Sequence, residues 1–306
     1  MRRRTLIIIL SIAIIAVIAI GIWLWSFTQQ IERVMIGYVA IARLSGTISY
    51  SKTGIFGGAT ITPSDVKYYV DRVVSDPAAK AVVFVIDSPG GSAAASEEIY
   101  QLIKKLAEDR VVVIYAPEVL ASGGYYISLP AKRIVASPHA LVGSIGSVMM
   151  LINIDEMLNK IGINVTIIKS GEYKDIGSEF RAPTEEELEI LREIVNKTAN
   201  IFIDRVKECR PFISSDAFTA KVYIGVDAVG VGLIDDVGTL DKATKLAKEL
   251  AGIPDYAPII EIEKPKGLLD LIFGGSTQLS DINVLNNVIP IEFANKLLYL
   301  WIPGRG

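Results

Sequence analysis

Apolar residues are concentrated in this chain rather than spread along it. Residues 5–27 (TLIIILSIAIIAVIAIGIWLWSF) run for 23 positions without a charge. At about 1.5 Å per residue, a helix of that length covers roughly the 30 Å hydrocarbon core of a bilayer. Trp23 and Trp25 stand near its end, where amphipathic rings favour the interface. Arg2, Arg3 and Arg4 would also suit the basic start of a cleaved leader. The run is too long for a leader's apolar core, however, and no small-x-small site precedes Thr28-Gln29-Gln30. The pattern predicts a cytoplasmic tip and retained anchor over 1–27, in contact with lipid through 5–27, and a polar link over 28–33. Three arginines before the span, against Arg33 just after it, place the N-terminus in the cytoplasm. The rest of the chain then lies on the extracytoplasmic side of the cell membrane, as a single-pass protein.

From residue 34 the pattern becomes an alternation of strands and helices. Residues 34–44 (VMIGYVAIARL) read as a first strand, and 46–58 as a glycine-rich loop. Thr62 with Pro63 opens a helix carrying Val66, Tyr69, Val70, Val73 and Val74 at helical spacing. Residues 81–87 (AVVFVID) are almost wholly apolar, as in a strand buried on both faces of a parallel sheet. A helix over 92–108 follows, then strands over 111–116, 133–136 and 165–169. Strands spaced by roughly 20–30 residues are the mark of strand–helix–strand units. Thr184 to Glu187 forms a capping box before a long helix whose inner stripe includes Leu188, Leu191, Ile194, Phe202 and Val206. A small module through 222–250 closes an α/β domain over 34–252 with a largely parallel sheet and flanking helices. Residues 253–306 form a tail whose apolar stretches are each too short to span a bilayer.

Charge and composition narrow the chemistry. The 31 basic and 34 acidic residues give a net charge of −3, with no clustered basic face for nucleic acid. Cys209 is the one cysteine, which excludes an intrachain disulfide and a multi-cysteine metal site. His139 is the one histidine, in a polar connection.

Three segments are candidates for chemistry. In Asp87-Ser88-Pro89-Gly90-Gly91-Ser92, two glycines join a buried strand to a helix, so backbone N–H groups can face an oxyanion. A tight turn would use the same glycines. Ala121-Ser122-Gly123-Gly124 also follows a buried strand and should sit at the same end of the sheet. Ser122 reads either as an uncrowded nucleophile, with the Gly123 N–H as oxyanion donor, or as an ordinary helix N-cap. A serine nucleophile needs a base. His139 is one option; a lysine in Lys169-Ser170-Gly171-Glu172-Tyr173-Lys174 is the better one, provided burial lowers its pKa by about 3 units from 10.4. A lysine in such a segment is otherwise a solvated surface charge.

The stretches DSPGG (87–91), ASGGYYIS (121–128), LVGSIGSV (141–148), KSGEYKDIGS (169–178) and PTEEE (183–187) together resemble signal peptide peptidase A, in the family's order, over residues 35–250. The resemblance implies a ClpP/crotonase-type fold and a Ser–Lys dyad of Ser122 and Lys174, with Ser144 bonding the lysine and Gly91 and Gly123 as oxyanion donors. It implies a homo-oligomer in which each subunit carries its own dyad, peptide substrates such as remnant signal peptides, and no metal or other cofactor. His139 matches no catalytic position of the family. The competing readings are a stomatin-clipping Ser–Lys membrane protease, a crotonase-like acyl-CoA enzyme and an inactive membrane scaffold.

Overall fold

The computed structural model describes Ile15, residues 17–23, Trp25, and residues 34–51, 59–264 and 298–300 of the chain. In chain order these hold β1 (Tyr38–Ser45), β2 (Thr47–Ile48), β3 (Thr60–Ile61), α1 (Pro63–Ser75), β4 (Ala79–Asp87), β5 (Gly90–Ser92) and α2 (Ala93–Asp109). Then come β6 (Val111–Ala116), β7 (Val119–Ala121), α3 (Gly123–Ser128), β8 (Arg133–Ala136), β9 (Leu141–Gly143), α4 (Asp155–Lys160) and α5 (Glu185–Cys209). Strand β10 (Val222–Ile224), α6 (Gly225–Gly230), β11 (Asp236–Val237), α7 (Leu240–Ala251), β12 (Ile259–Glu261) and β13 (Leu298–Leu300) complete the set.

Six strands in the order β11-β8-β6-β4-β1-β12 make one sheet in which every pairing is parallel. The near-continuous apolar runs of β1 and β4 follow from the period of two. Ala40, Ala42, Val82, Phe84 and Ile86 face one core with α1 and α2, while Val39, Ile41, Ala81, Val83 and Val85 face a second core under α7. Each fully buried Val, Ile or Phe contributes roughly 1.5–3 kcal/mol, so both faces hold the sheet. Thr62 caps α1 and Thr184 caps α5, each with a reciprocal capping box, through Asp65 and Glu187.

Several elements depart from the sequence pattern. The first strand begins at Tyr38, because residues 34–36 are helical and Gly37 turns the chain at φ +75°. Val74 and Ile194 are exposed rather than inward. The sheet draws Ile259–Glu261 from beyond residue 252, where the pattern places only a tail. Residues 165–169 form no strand. No described strand offers them a partner, and an apolar run without a ladder to join stays out of the sheet. No helix among the described residues is long and apolar enough to cross a membrane. The expected anchor over 5–27 falls largely outside them; its described positions, Ile15, 17–23 and Trp25, are helical and exposed.

Candidate active site

Strand β4 delivers Asp87 and Ser88 to the carboxyl end of the sheet. Ser88 is fully buried. Its hydroxyl donates to the Gly46 carbonyl at 2.7 Å and accepts the Gly90 N–H at 3.1 Å, pinning the glycine turn. The Asp87 carboxylate accepts the Val119 N–H at 3.0 Å, which ties this turn to the next strand. Burial pushes the Asp87 carboxyl pKa up. Gly91 runs so close to β2 that a Cβ there would lie 2.1 Å from the Ile48 carbonyl oxygen, so only glycine fits. The other edge of β5 pairs antiparallel with the chain's own β13, Tyr299 opposite Gly91.

Ser122 lies beside this turn. Leu120 bridges to Ser88, and the Ala121 N–H donates to the Ser88 carbonyl at 3.1 Å. Strands β7 and β9 are parallel with Ala121 opposite Gly143, so Ser122 and Ser144 each follow a paired position on neighbouring strands. Both have positive φ, 52° and 55°, and only Ala220 joins them among the described non-glycine residues. That region costs an L-residue roughly 1–2 kcal/mol, and it persists where the surroundings enforce it. Here the Ser122 N–H is held by the Gly143 carbonyl at 2.7 Å and the Ser144 N–H by the Lys221 carbonyl at 2.8 Å.

The strain also separates the two readings of Ser122. It precedes α3 but makes no side-chain cap bond, so its hydroxyl is not spent on the helix. The first N–H groups of any helix lack acceptors within it, and here they belong to Gly123 and Gly124, next to that hydroxyl. A Cβ on Gly124 would lie 2.6 Å from the Ser88 carbonyl oxygen, the contact that seats α3 on the glycine turn. All six residues of α3 are buried. The Tyr125 hydroxyl donates to the Leu233 carbonyl at 2.8 Å, and the Tyr126 ring packs 5.0 Å from Phe202.

Lys174 has different surroundings. It is exposed, and among the described residues no hydrogen bond links its amine to the Ser122 hydroxyl. The turn that carries it is closed by Lys174 N–H to Gly171 and Ile176 N–H to Tyr173 bonds of 3.2 Å each. Before it, Ile161, Ile163, Val165 and Ile167 alternate with Gly162, Asn164 and Thr166, and all four apolar residues are exposed, as is Ile168 at 95%. That alternation is a strand pattern without a strand partner. Hence the fold gathers Gly91, Ser122, Gly123 and Ser144, and leaves Lys174 on an uncovered arm. His139 is exposed on its connection.

Two sets of residues escaped the sequence reading. Ser88 and Asp87 brace the glycine turn, although only the glycines stood out in the motif. A chain of ion pairs, Lys169–Asp175–Arg181–Glu187, roots the arm on α5; only the capping role of Glu187 was visible beforehand. Among the described residues no group of three or more His, Cys, Asp or Glu could hold a metal ion. A cleft lined by Lys80, Arg110, Lys132 and Leu250 lies at the amino ends of the strands, away from the serines.

Residues 104–254, which include Ser122, Ser144 and Lys174, match peptidase family S49. A putative protease of Methanocaldococcus jannaschii is 41% identical over 217 residues, 68% of this chain and 70% of that one. The chloroplastic serine protease SPPA of Arabidopsis thaliana is 34% identical over 244 residues, 78% of this chain and 36% of that protein. A putative signal peptide peptidase SppA of Enterococcus faecium is 31% identical over 194 residues, 62% of this chain and 56% of that one. Among solved structures, a membrane-bound stomatin-specific protease superposes with a TM-score of 0.48 at 19% identity, over 75% of this chain and 99% of its own. A relative 41% identical over more than two thirds of both chains shows the family: the chain belongs to peptidase family S49, that of signal peptide peptidase A, as a serine protease.

Proposed function

We propose that the chain is a membrane-anchored endopeptidase of the ClpP/crotonase-type fold, with Ser122 as nucleophile and Lys174 as general base. The observation that carries this is the state of Ser122: strained, buried, uncommitted as a cap, and set between two glycine segments at the carboxyl end of the sheet. In the reaction the neutral Lys174 amine takes the proton of the Ser122 hydroxyl as that oxygen attacks a peptide carbonyl. The N–H groups of Gly91 and Gly123 hold the oxyanion, and Ser144 orients the amine. The lysine returns the proton to the leaving amine, and water, deprotonated by the same lysine, releases the acyl group.

A substrate in extended form takes the edge of β5 in place of the chain's own β13, by the same kind of main-chain bonds. Such binding reads backbone more than side chains, which suits apolar remnants such as signal peptides delivered at the bilayer by an anchor over 5–27. A base must be shielded to be neutral near pH 7, and this chain by itself leaves Lys174 in water. A second copy, seated on the exposed 161–168 strip, supplies the strand partner and the cover, so the protease is a homo-oligomer.

A serine-directed covalent probe on the full chain should label Ser122, and cleavage of an apolar peptide should rise steeply between about pH 7 and 9, as a lysine base requires. Labelling elsewhere, or a limb near the imidazole value of about 6.5, overturns the reading.

A further inference from the structure

Asp175 follows Lys174 directly in the chain. An ionised carboxylate at that point opposes a neutral lysine, because nearby negative charge favours the protonated amine. The surroundings of Asp175 remove that difficulty. Its Oδ1 accepts from Lys169 Nζ at 2.7 Å and from Arg181 Nη2 at 2.9 Å, and its Oδ2 accepts from Arg181 Nε at 2.7 Å. The same guanidinium reaches Glu187, by Nη1 to Oε2 at 2.7 Å and by Nη2 to Oε1. Glu187 Oε2 also accepts the Thr184 N–H at 2.8 Å, the capping bond of α5. Two cations thus face two carboxylates, and their charges cancel. The Asp175 and Glu187 side chains are only 9% and 4% exposed, so water screens this group little.

We propose that Arg181 is a positioning residue for Lys174: forked between Asp175 and Glu187, it neutralises the carboxylate beside the base and fixes the base's turn on the start of α5. This rests on Lys174 acting as the base. A lysine at 181 could not replace it, since one ammonium cannot engage two carboxylates in planar, two-point fashion. The remaining acids around the turn are otherwise engaged or lie outward. Glu186 accepts the Tyr173 hydroxyl at 2.5 Å and Glu185 pairs with Arg192 at 2.7 Å. Glu172 is exposed and Glu179 is half-buried; α4, joined to this segment by the Ile154 N–H to Glu179 carbonyl bond, carries Asp155, which accepts the Asn159 amide at 3.2 Å, and the exposed Glu156.

The test is the pH dependence of kcat/KM for an apolar peptide, measured on the full-length chain as Arg181→Gln, Arg181→Lys, Asp175→Asn, the Arg181→Gln/Asp175→Asn double variant, and Lys174→Ala. Left with Lys169 alone, Asp175 is no longer fully offset and should help to hold the proton on Lys174. Arg181→Gln then moves the acid limb up by about half to one pH unit, Arg181→Lys moves it part of the way, and Asp175→Asn moves it down. The double variant should return the limb to its original place. A limb that stays fixed while only the rate falls, or that moves equally in single and double variants, overturns the proposal. If Arg181→Gln is inactive at every pH, recovery in the double variant supports it and no recovery overturns it. Full activity in Lys174→Ala instead removes the base assignment itself, and the proposal with it.

Discussion

Ser122 and Lys174 stand in opposite kinds of surroundings. Ser122 is 1% exposed, its N–H is fixed by Gly143, and its strained turn is locked between β9 and a fully buried helix. Lys174 lies on an arm that buries almost no apolar surface and is held by ion pairs at its root. The proposed nucleophile is therefore built by the sheet, whose packing can sustain a few kcal/mol of local strain. The proposed base is held by electrostatics and would need another surface to desolvate it. On this reading the isolated chain carries a finished half-site and a conditional one, which keeps a protease inactive until it is assembled.

The largest effect expected is on the chemistry itself. Ser122→Ala and Lys174→Ala should each lower peptide cleavage by at least about 10³-fold with unchanged circular dichroism, since members of a catalytic unit fail together. Near-full activity in either breaks the pairing of the two regions. Next, Ile168→Asp puts a charge on the most exposed large apolar residue of the arm. Activity should fall by about 30-fold and sedimentation should shift toward the single chain, as for loss of an interface hot spot. An unchanged assembly would show that the arm is not the contact. Gly124→Ala tests the pocket from the other side: its Cβ meets the Ser88 carbonyl oxygen, so thermal unfolding should reveal a loss of about 2 kcal/mol.

Acid should act on the arm and spare the pocket. Arg181, then the Thr184 N–H, hold the Glu187 carboxyl down at about 2, and Arg181 with Lys169 hold Asp175 well below the usual carboxylate range. Both are lower in the folded chain than unfolded, so their contribution is complete above about pH 4.5 and drains as pH falls toward 2. Amide exchange at 171–178 should therefore quicken across that window before exchange at 119–124 does; simultaneous loss would join the two regions into one unit. The smallest effect is His139→Ala, whose cleavage rate should stay within about twofold, because the imidazole is exposed and distant in role from either half.

Legibility from sequence followed the same division. Strands β6 and β8, the helix cap at Thr62 and the capping box at Thr184 were read at their observed positions, because a parallel strand buried on two faces must be apolar throughout and a helix start needs only a few residues; that Asp65 closes a box at Thr62 as well was not read. The serine and glycine segments were visible as motifs, yet their roles stayed ambiguous: a serine that caps a helix and one that does not look alike until φ and the missing cap bond are known. The strand expected over 165–169 failed because apolar periodicity states what a segment needs, not whether a partner is within reach. Arg181 carried no signal at all, since a lone arginine between a turn and a helix has no pattern.

Sequence alone was enough for the α/β class, the candidate nucleophile, and the membership of a protease lineage. Local preference and two-faced burial are written residue by residue. Tertiary structure decided that Ser122 is strained and adjacent to Ser144, that Gly91 is pressed against β2, and that Lys174 is exposed with its neighbouring carboxylate already paired. Those facts depend on contacts between residues distant in the chain, and no local pattern of side chains encodes which distant partner arrives.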